Sequence, residues 1–149
     1  MDRRRFIRSS LAAAVAASVP GTYSLAQSLL HTPTSVPNDI DALTADGGEV
    51  TLAQAAVQEL SDSLKGKLLL PGGEAYDQAR WLLNPLYDKY PALVVQPTGA
   101  ADVQNAVTFA RENNLLLAVK CGGHSAAGKS SCDKGMQLDL SRLRNARVD

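Results

Sequence analysis

The stretch AVKCGGHSAAGKSSCDKG, Ala118 to Gly135, decides how the rest of the chain is read. It is preceded by the apolar run that makes up LLLAVK and followed by Met136, Leu138 and Leu140 alternating with Gln137 and Asp139. Both flanks read as β-strands, the second with the period of a strand covered on one face. Between them, Gly123 to Ser130 satisfies G-x-x-x-x-G-K-[ST], the pattern of a nucleotide-triphosphate loop. Such a loop works because a helix begins at its Lys-Ser end and aims free N–H groups and its dipole at phosphate. Here Lys129-Ser130 is followed by Ser131 to Gly135 and then by the strand, leaving room for about one turn. The same residues also hold Gly122-Gly123-His124-Ser125. Adjacent glycines after a strand let N–H groups converge on one point, which makes a nest for a diphosphate without a lysine. Ser125 adds a hydroxyl donor. The diphosphate reading is preferred, with triphosphate binding through Gly123–Ser130 kept as the alternative. On spacing alone, His124 is a loop residue as readily as a functional one.

Outward from this loop the texture is short apolar runs alternating with helical periodicity. Val103, Ala106, Val107 and Ala110 mark the inner face of a helix over about 101–113, and ALVVQP before it is a buried strand stopped by Pro97. KLLLPGG reads as a strand ending in a turn, and RVD at residues 147–149 as the opening of another strand. The segment YDQARWLLNPLYDKYP is ambiguous, because Pro85 breaks any helix begun at Tyr76. Thr51-x-x-Gln54 has the form of a capping box, and Leu52, Ala56, Val57, Leu60 and Leu64 share one face of a helix over 51–66, closed by Gly66. Residues 27–50, broken by Pro33, Pro37 and Gly47-Gly48, read as a flexible linker. The expected class is α+β, a small mixed sheet packed with helices.

The first 26 residues read as an export signal: Arg3, Arg4, Arg5 and Arg8, an apolar run from Leu11 to Val19, then Ser24-Leu25-Ala26 as a cleavage site. The run is shorter than the roughly 20 residues a spanning helix needs, so no membrane span is expected. Arg3-Arg4-Arg5-Phe6-Ile7-Arg8 is similar to a twin-arginine signal, which implies recognition by the export machinery through residues 3–8 and a periplasmic or secreted location. The whole chain carries 15 Lys+Arg and 15 Asp+Glu; cleavage after Ala26 would leave eleven basic and fourteen acidic residues. No basic stripe with interleaved aromatics remains, which argues against nucleic acid as a partner. Cys121 and Cys132 have no metal-site spacing, so no metal is expected; after export they are free to pair or not.

From about Leu68 onward the chain resembles the PCMH-type FAD-binding domain of the vanillyl-alcohol oxidase superfamily, and within it the berberine-bridge-enzyme-like and hydroxynicotine oxidases. The resemblance runs in order through YDQARWLLNPLYDKYPALVVQP, ADVQNAVTFARENNLLLAVKCGGHSAAGKSSC and GMQLDLSRLRNARVD. It implies that residues 67–149 are the first subdomain of such a domain, incomplete, with the substrate domain and catalytic residues lying beyond Asp149. It also implies that Cys121, Gly122, Gly123, His124, Ser125 and Gly128 cradle the FAD diphosphate. In covalent members the histidine at the place of His124 bonds the 8α carbon of the flavin. Two positions depart from the usual pattern: Cys121 stands where Gly or Ser is common, and Lys134 where Gly is common. Cys132 is too early to be the second, cysteinyl link of bicovalent members. The implied activity is oxidation of an alcohol, sugar or amine-like small molecule by hydride transfer to flavin. A non-catalytic exported fragment is a further alternative.

Overall fold

A computed structural model describes residues 33–144. The leader, with its twin-arginine motif, and the expected strand at 147–149 lie outside the described residues. Two β-sheets and three helices follow in the order β1 (Ile40–Leu43), β2 (Glu49–Leu52), α1 (Gln54–Ser63), β3 (Lys67–Leu69), α2 (Tyr76–Arg80), β4 (Leu93–Gln96), α3 (Ala100–Glu112), β5 (Leu117–Lys120) and β6 (Met136–Asp139). A 3-10 turn, Leu140–Arg142, comes after β6. The class is α+β.

The main sheet has the order β3-β4-β6-β5. Strand β3 is antiparallel to β4, whereas β4, β6 and β5 are parallel. Residue alternation sorts the strands onto two faces. Leu93, Val95, Met136 and Leu138 join one cluster with Val57 and Leu60 of α1 and Ala106 and Ala110 of α3. Full burial of each larger aliphatic side chain here contributes about 1.5–3 kcal/mol. Val94 faces the other way, against Tyr76 and Ala79 of α2. Strand β6 is therefore covered on both faces, and Gln137 and Asp139 are buried along with Met136 and Leu138. Alternation alone puts these two polar residues on an open face. Their burial follows from the central place of β6, with α2 and the segment after it packed over the second face.

Three further expectations are corrected. Residues 33–50 are not a linker. Ile40 pairs with Leu52 and Leu43 with Glu49 in an antiparallel hairpin, while Val36, Ala42 and Leu52 are buried in the main core. The hairpin is bound through backbone bonds from Leu43 N to Lys134 O and from Leu116 N to Leu43 O, contacts too distant in sequence to be read from local composition. Helix α1 does not begin with a Thr51 capping box. Thr51 lies in β2 and donates to Asp41, and Asp39 Oδ1 accepts the Gln54 N–H at 2.7 Å instead. Val107, expected on the inner face of α3, is 43% exposed. Buried Asp102 takes that face at the first turn, accepting from Lys65 N, Gly66 N, Thr98 N and Thr98 Oγ1.

Candidate functional site

Parallel strands β4, β5 and β6 end side by side at Gln96, Lys120 and Asp139. All three end residues are buried and polar, and they bind one another. Gln96 Nε2 donates to Asp139 Oδ2 at 2.8 Å, and the Lys120 ammonium lies 3.6 Å from the same oxygen. Lys120 Nζ also donates to the Ala79 carbonyl at 2.6 Å, which accepts Gln137 Nε2 as well. Removing one partner of such a buried ion pair strands the other, at a cost of roughly 3–5 kcal/mol. Above this floor opens a cleft of about 610 Å³, with Arg142 and Arg144 on its rim.

The glycine loop starts directly from Lys120. Gly123 is buried with φ +73°, a conformation that favours glycine, and a Cβ there would lie 3.3 Å from Lys120 Cε. Gly122 lacks the Cβ that would stand 2.6 Å from His124 Cδ2, so the imidazole rests against it and remains exposed. Among the described residues, no hydrogen bond occupies the backbone N–H groups of Gly122, Gly123, His124 or Ser125. Ser125 closes the loop: its carbonyl accepts Gly128 N at 3.1 Å and its hydroxyl oxygen accepts Lys129 N at 3.0 Å. That leaves the Ser125 O–H proton available to a ligand. Gly128, φ +66°, is buried against the Tyr87 ring.

All six sequence-predicted site residues thus lie on one loop, Cys121 and Gly122 at its exposed start and Gly128 at its buried end. The triphosphate alternative through Gly123–Ser130 is not favoured. No helix begins at Lys129; residues 129–130 form a turn, and Lys129 N–H is spent on Ser125. Lys134 adopts φ +52°, a conformation that favours glycine. The cysteines are free, Cys121 exposed and Cys132 buried, and burial pushes the Cys132 thiol up to about 11. Among the described residues, no three His, Cys, Asp or Glu side chains gather where a metal ion would fit, and no helix is long and apolar enough to cross a membrane.

Sequence reasoning missed two parts of this region. One is the Gln96–Lys120–Asp139 floor, signalled only by polar residues at the ends of apolar strands. The other is the segment from Trp81 to Tyr87, which borders the loop without regular structure. Its ends are pinned. Arg80 bonds Asp77, Asp88 and the Lys89 carbonyl and stacks 3.8 Å from the Tyr90 ring, while Tyr76 donates to Pro91 O at 2.6 Å. Burial pushes the Tyr76 phenol up to about 12, so it stays a donor at neutral pH.

A cradle of free N–H groups at two adjacent glycines suits the bridging phosphates of a dinucleotide, and the comparisons with known proteins name one. Residues 91–149 match the family model of a FAD binding domain. A FAD-linked oxidoreductase of Dictyostelium discoideum is 37% identical over 100 residues, 65% of this chain and 21% of that protein. The crystal structure of 6-hydroxy-D-nicotine oxidase from Arthrobacter nicotinovorans superposes with a TM-score of 0.55 at 28% identity, over 58% of this chain and 19% of that one. The BBE-like 1 protein of Physcomitrella patens gives 0.56 at 26% identity, over 63% of this chain and 21% of its own. The architecture is that of part of a PCMH-type FAD-binding domain. The chain spans about a fifth of the length of the relatives it matches.

Proposed function

We propose that this chain is the FAD-diphosphate-binding portion of a FAD-dependent oxidoreductase that oxidises an alcohol, sugar or amine-like small molecule. The observation that carries the reading is the set of unengaged N–H groups from Gly122 to Ser125, on the loop within the FAD binding domain match. These donors and the Ser125 hydroxyl would hold the diphosphate, and the absence of side chains at Gly122 and Gly123 lets it approach the backbone. Flavin, when bound, supplies the hydride acceptor, and the protein supplies orientation and electrostatics. His124, exposed and resting on Gly122, would be the point of covalent attachment at the flavin 8α carbon. Its role is that of a tether; the acid or base of the reaction lies elsewhere in the enzyme. The Arg3–Arg8 motif supports twin-arginine export of the folded protein to the periplasm or beyond.

The test is the intact protein's flavin content. Wild type is expected to be yellow and to keep a flavin-sized mass after denaturation. His124→Ala should lose the mass that survives denaturation, whereas Lys129→Ala should keep it. A colourless wild type after expression with excess riboflavin would sink the reading; flavin released intact by denaturation would sink only the covalent bond.

A further inference from the structure

We infer that Asn84 and Tyr87 are positioning residues that set the conformation of the glycine loop and aim its N–H groups at the ligand. The inference rests on the proposed dinucleotide role of that loop. Most of the segment from Trp81 to Tyr87 is exposed, Trp81 by 58%, Leu83 by 54% and Leu86 by 85%, with Leu82 as its one buried side chain. It nevertheless touches the loop at three points. Leu83 N–H donates to the Gly123 carbonyl at 3.1 Å, Asn84 Nδ2 donates to the Ala126 carbonyl at 2.9 Å, and the Tyr87 ring fills the space where a Gly128 Cβ would stand. The orientation of the Asn84 amide is set independently, because its Oδ1 accepts Leu86 N–H at 3.2 Å.

Peptide planarity turns these contacts into direction. In a trans peptide the C=O of one residue and the N–H of the next point opposite ways. Holding the Gly123 carbonyl on Leu83 therefore turns the His124 N–H away from the segment. Holding the Ala126 carbonyl on Asn84 does the same for the Ala127 N–H. Between them, Gly128 N on the Ser125 carbonyl turns the Ala126 N–H outward. Among the described residues the loop has no ladder partner to impose this order. The neighbouring segment imposes it, and Tyr87 against Gly128 locks the far end of the turn.

Two substitutions in the intact protein test this. Asn84→Asp is isosteric, keeps the acceptor for Leu86 N–H and puts an oxygen opposite the Ala126 carbonyl; Tyr87→Ala removes the ring. In a His124→Ala background, where flavin is held without a covalent bond, each is expected to lower the flavin retained after desalting about tenfold, the loss of one well-made hydrogen bond or contact. Each should also speed amide exchange at Gly128 and Lys129 about tenfold by local opening, with the melting midpoint of the rest of the protein held. Tyr87→Phe, which keeps the ring, should restore both readouts to within about threefold of wild type. Unchanged exchange at Gly128 and Lys129 in Asn84→Asp overturns the inference whether or not flavin is present. A His124→Ala protein that retains flavin, and holds as much of it with either substitution added, overturns the inference while leaving the proposed function standing. A flavin-free wild type overturns the proposed function, and exchange then decides the order of the loop alone.

Discussion

The connections leaving β4 and β5 start from parallel strands of one sheet and resolve the same problem in opposite ways. After β4, the chain turns through Pro97-Thr98-Gly99 and enters α3, and N–H groups of this turn and of the link between α1 and β3 meet a carboxylate the chain itself provides. Asp102 accepts four hydrogen bonds, three of them from backbone N–H groups of Lys65, Gly66 and Thr98. After β5, the N–H groups from Gly122 to Ser125 converge on nothing in the described protein, and no helix follows. One connection carries its own anion and is finished as structure. The other leaves its N–H groups open, as the proposed diphosphate site requires. Location at the C-terminal ends of parallel strands is shared by both; the difference lies in whether a nearby side chain supplies the acceptor.

The largest effect expected from breaking this contrast is on the closed connection. Asp102→Ala should destabilise the protein by about 3 kcal/mol, because buried N–H groups lose their acceptor. A urea titration reads this as a fall in the midpoint, and a loss below about 0.5 kcal/mol would mean water replaces the carboxylate without cost. On the open connection, Gly128→Ala should cost about 1–2 kcal/mol, since φ +66° strains an L side chain and the Tyr87 ring occupies the space of the new Cβ. In the Tyr87→Ala background the same substitution should cost less, and a double-mutant cycle in urea measures the coupling.

A smaller effect separates the two connections by pH. Burial pushes Asp102 upward, but bonds from Thr98, Lys65 and Gly66 outweigh it and hold its carboxyl below the ordinary value of 3.8. A carboxylate depressed in this way contributes stability that is fully present above its unfolded pKa and is lost as pH falls through its native one. Below about pH 4, wild type should therefore lose stability more steeply than Asp102→Asn, which has no proton to take up. Parallel acid slopes in urea midpoints would remove Asp102 from the linkage.

Much of the main sheet is legible in the sequence. LVV in β4 is dense enough in apolar residues to be buried throughout, and Ala106 and Ala110 fix the inner face of α3, although Val107 and Val119, equally apolar, are exposed; the glycines and strand flanks of the loop limit what it can be. The lysine of Gly123–Ser130 misleads only in isolation, because the strand that follows leaves no length for a helix. The hairpin at 40–52 is not legible. Its prolines and glycines read locally as loosening, whereas its stability comes from Asn114, Leu116 and Lys134, far along the chain. Gln137 and Asp139 mislead for a related reason: alternation records chemistry, and only packing records whether a polar residue faces water or Lys120, Ala79 and Gln96.

By itself the sequence determined which segments of the main sheet bury themselves and where the backbone can bend sharply, because apolar spacing and paired glycines act through neighbours a few residues apart. Tertiary structure alone decided which N–H groups stay free and what holds them in place. Those outcomes depend on Asp102 reaching back to Lys65 and on Asn84 reaching forward to Ala126, and no local pattern encodes a hydrogen bond across dozens of residues.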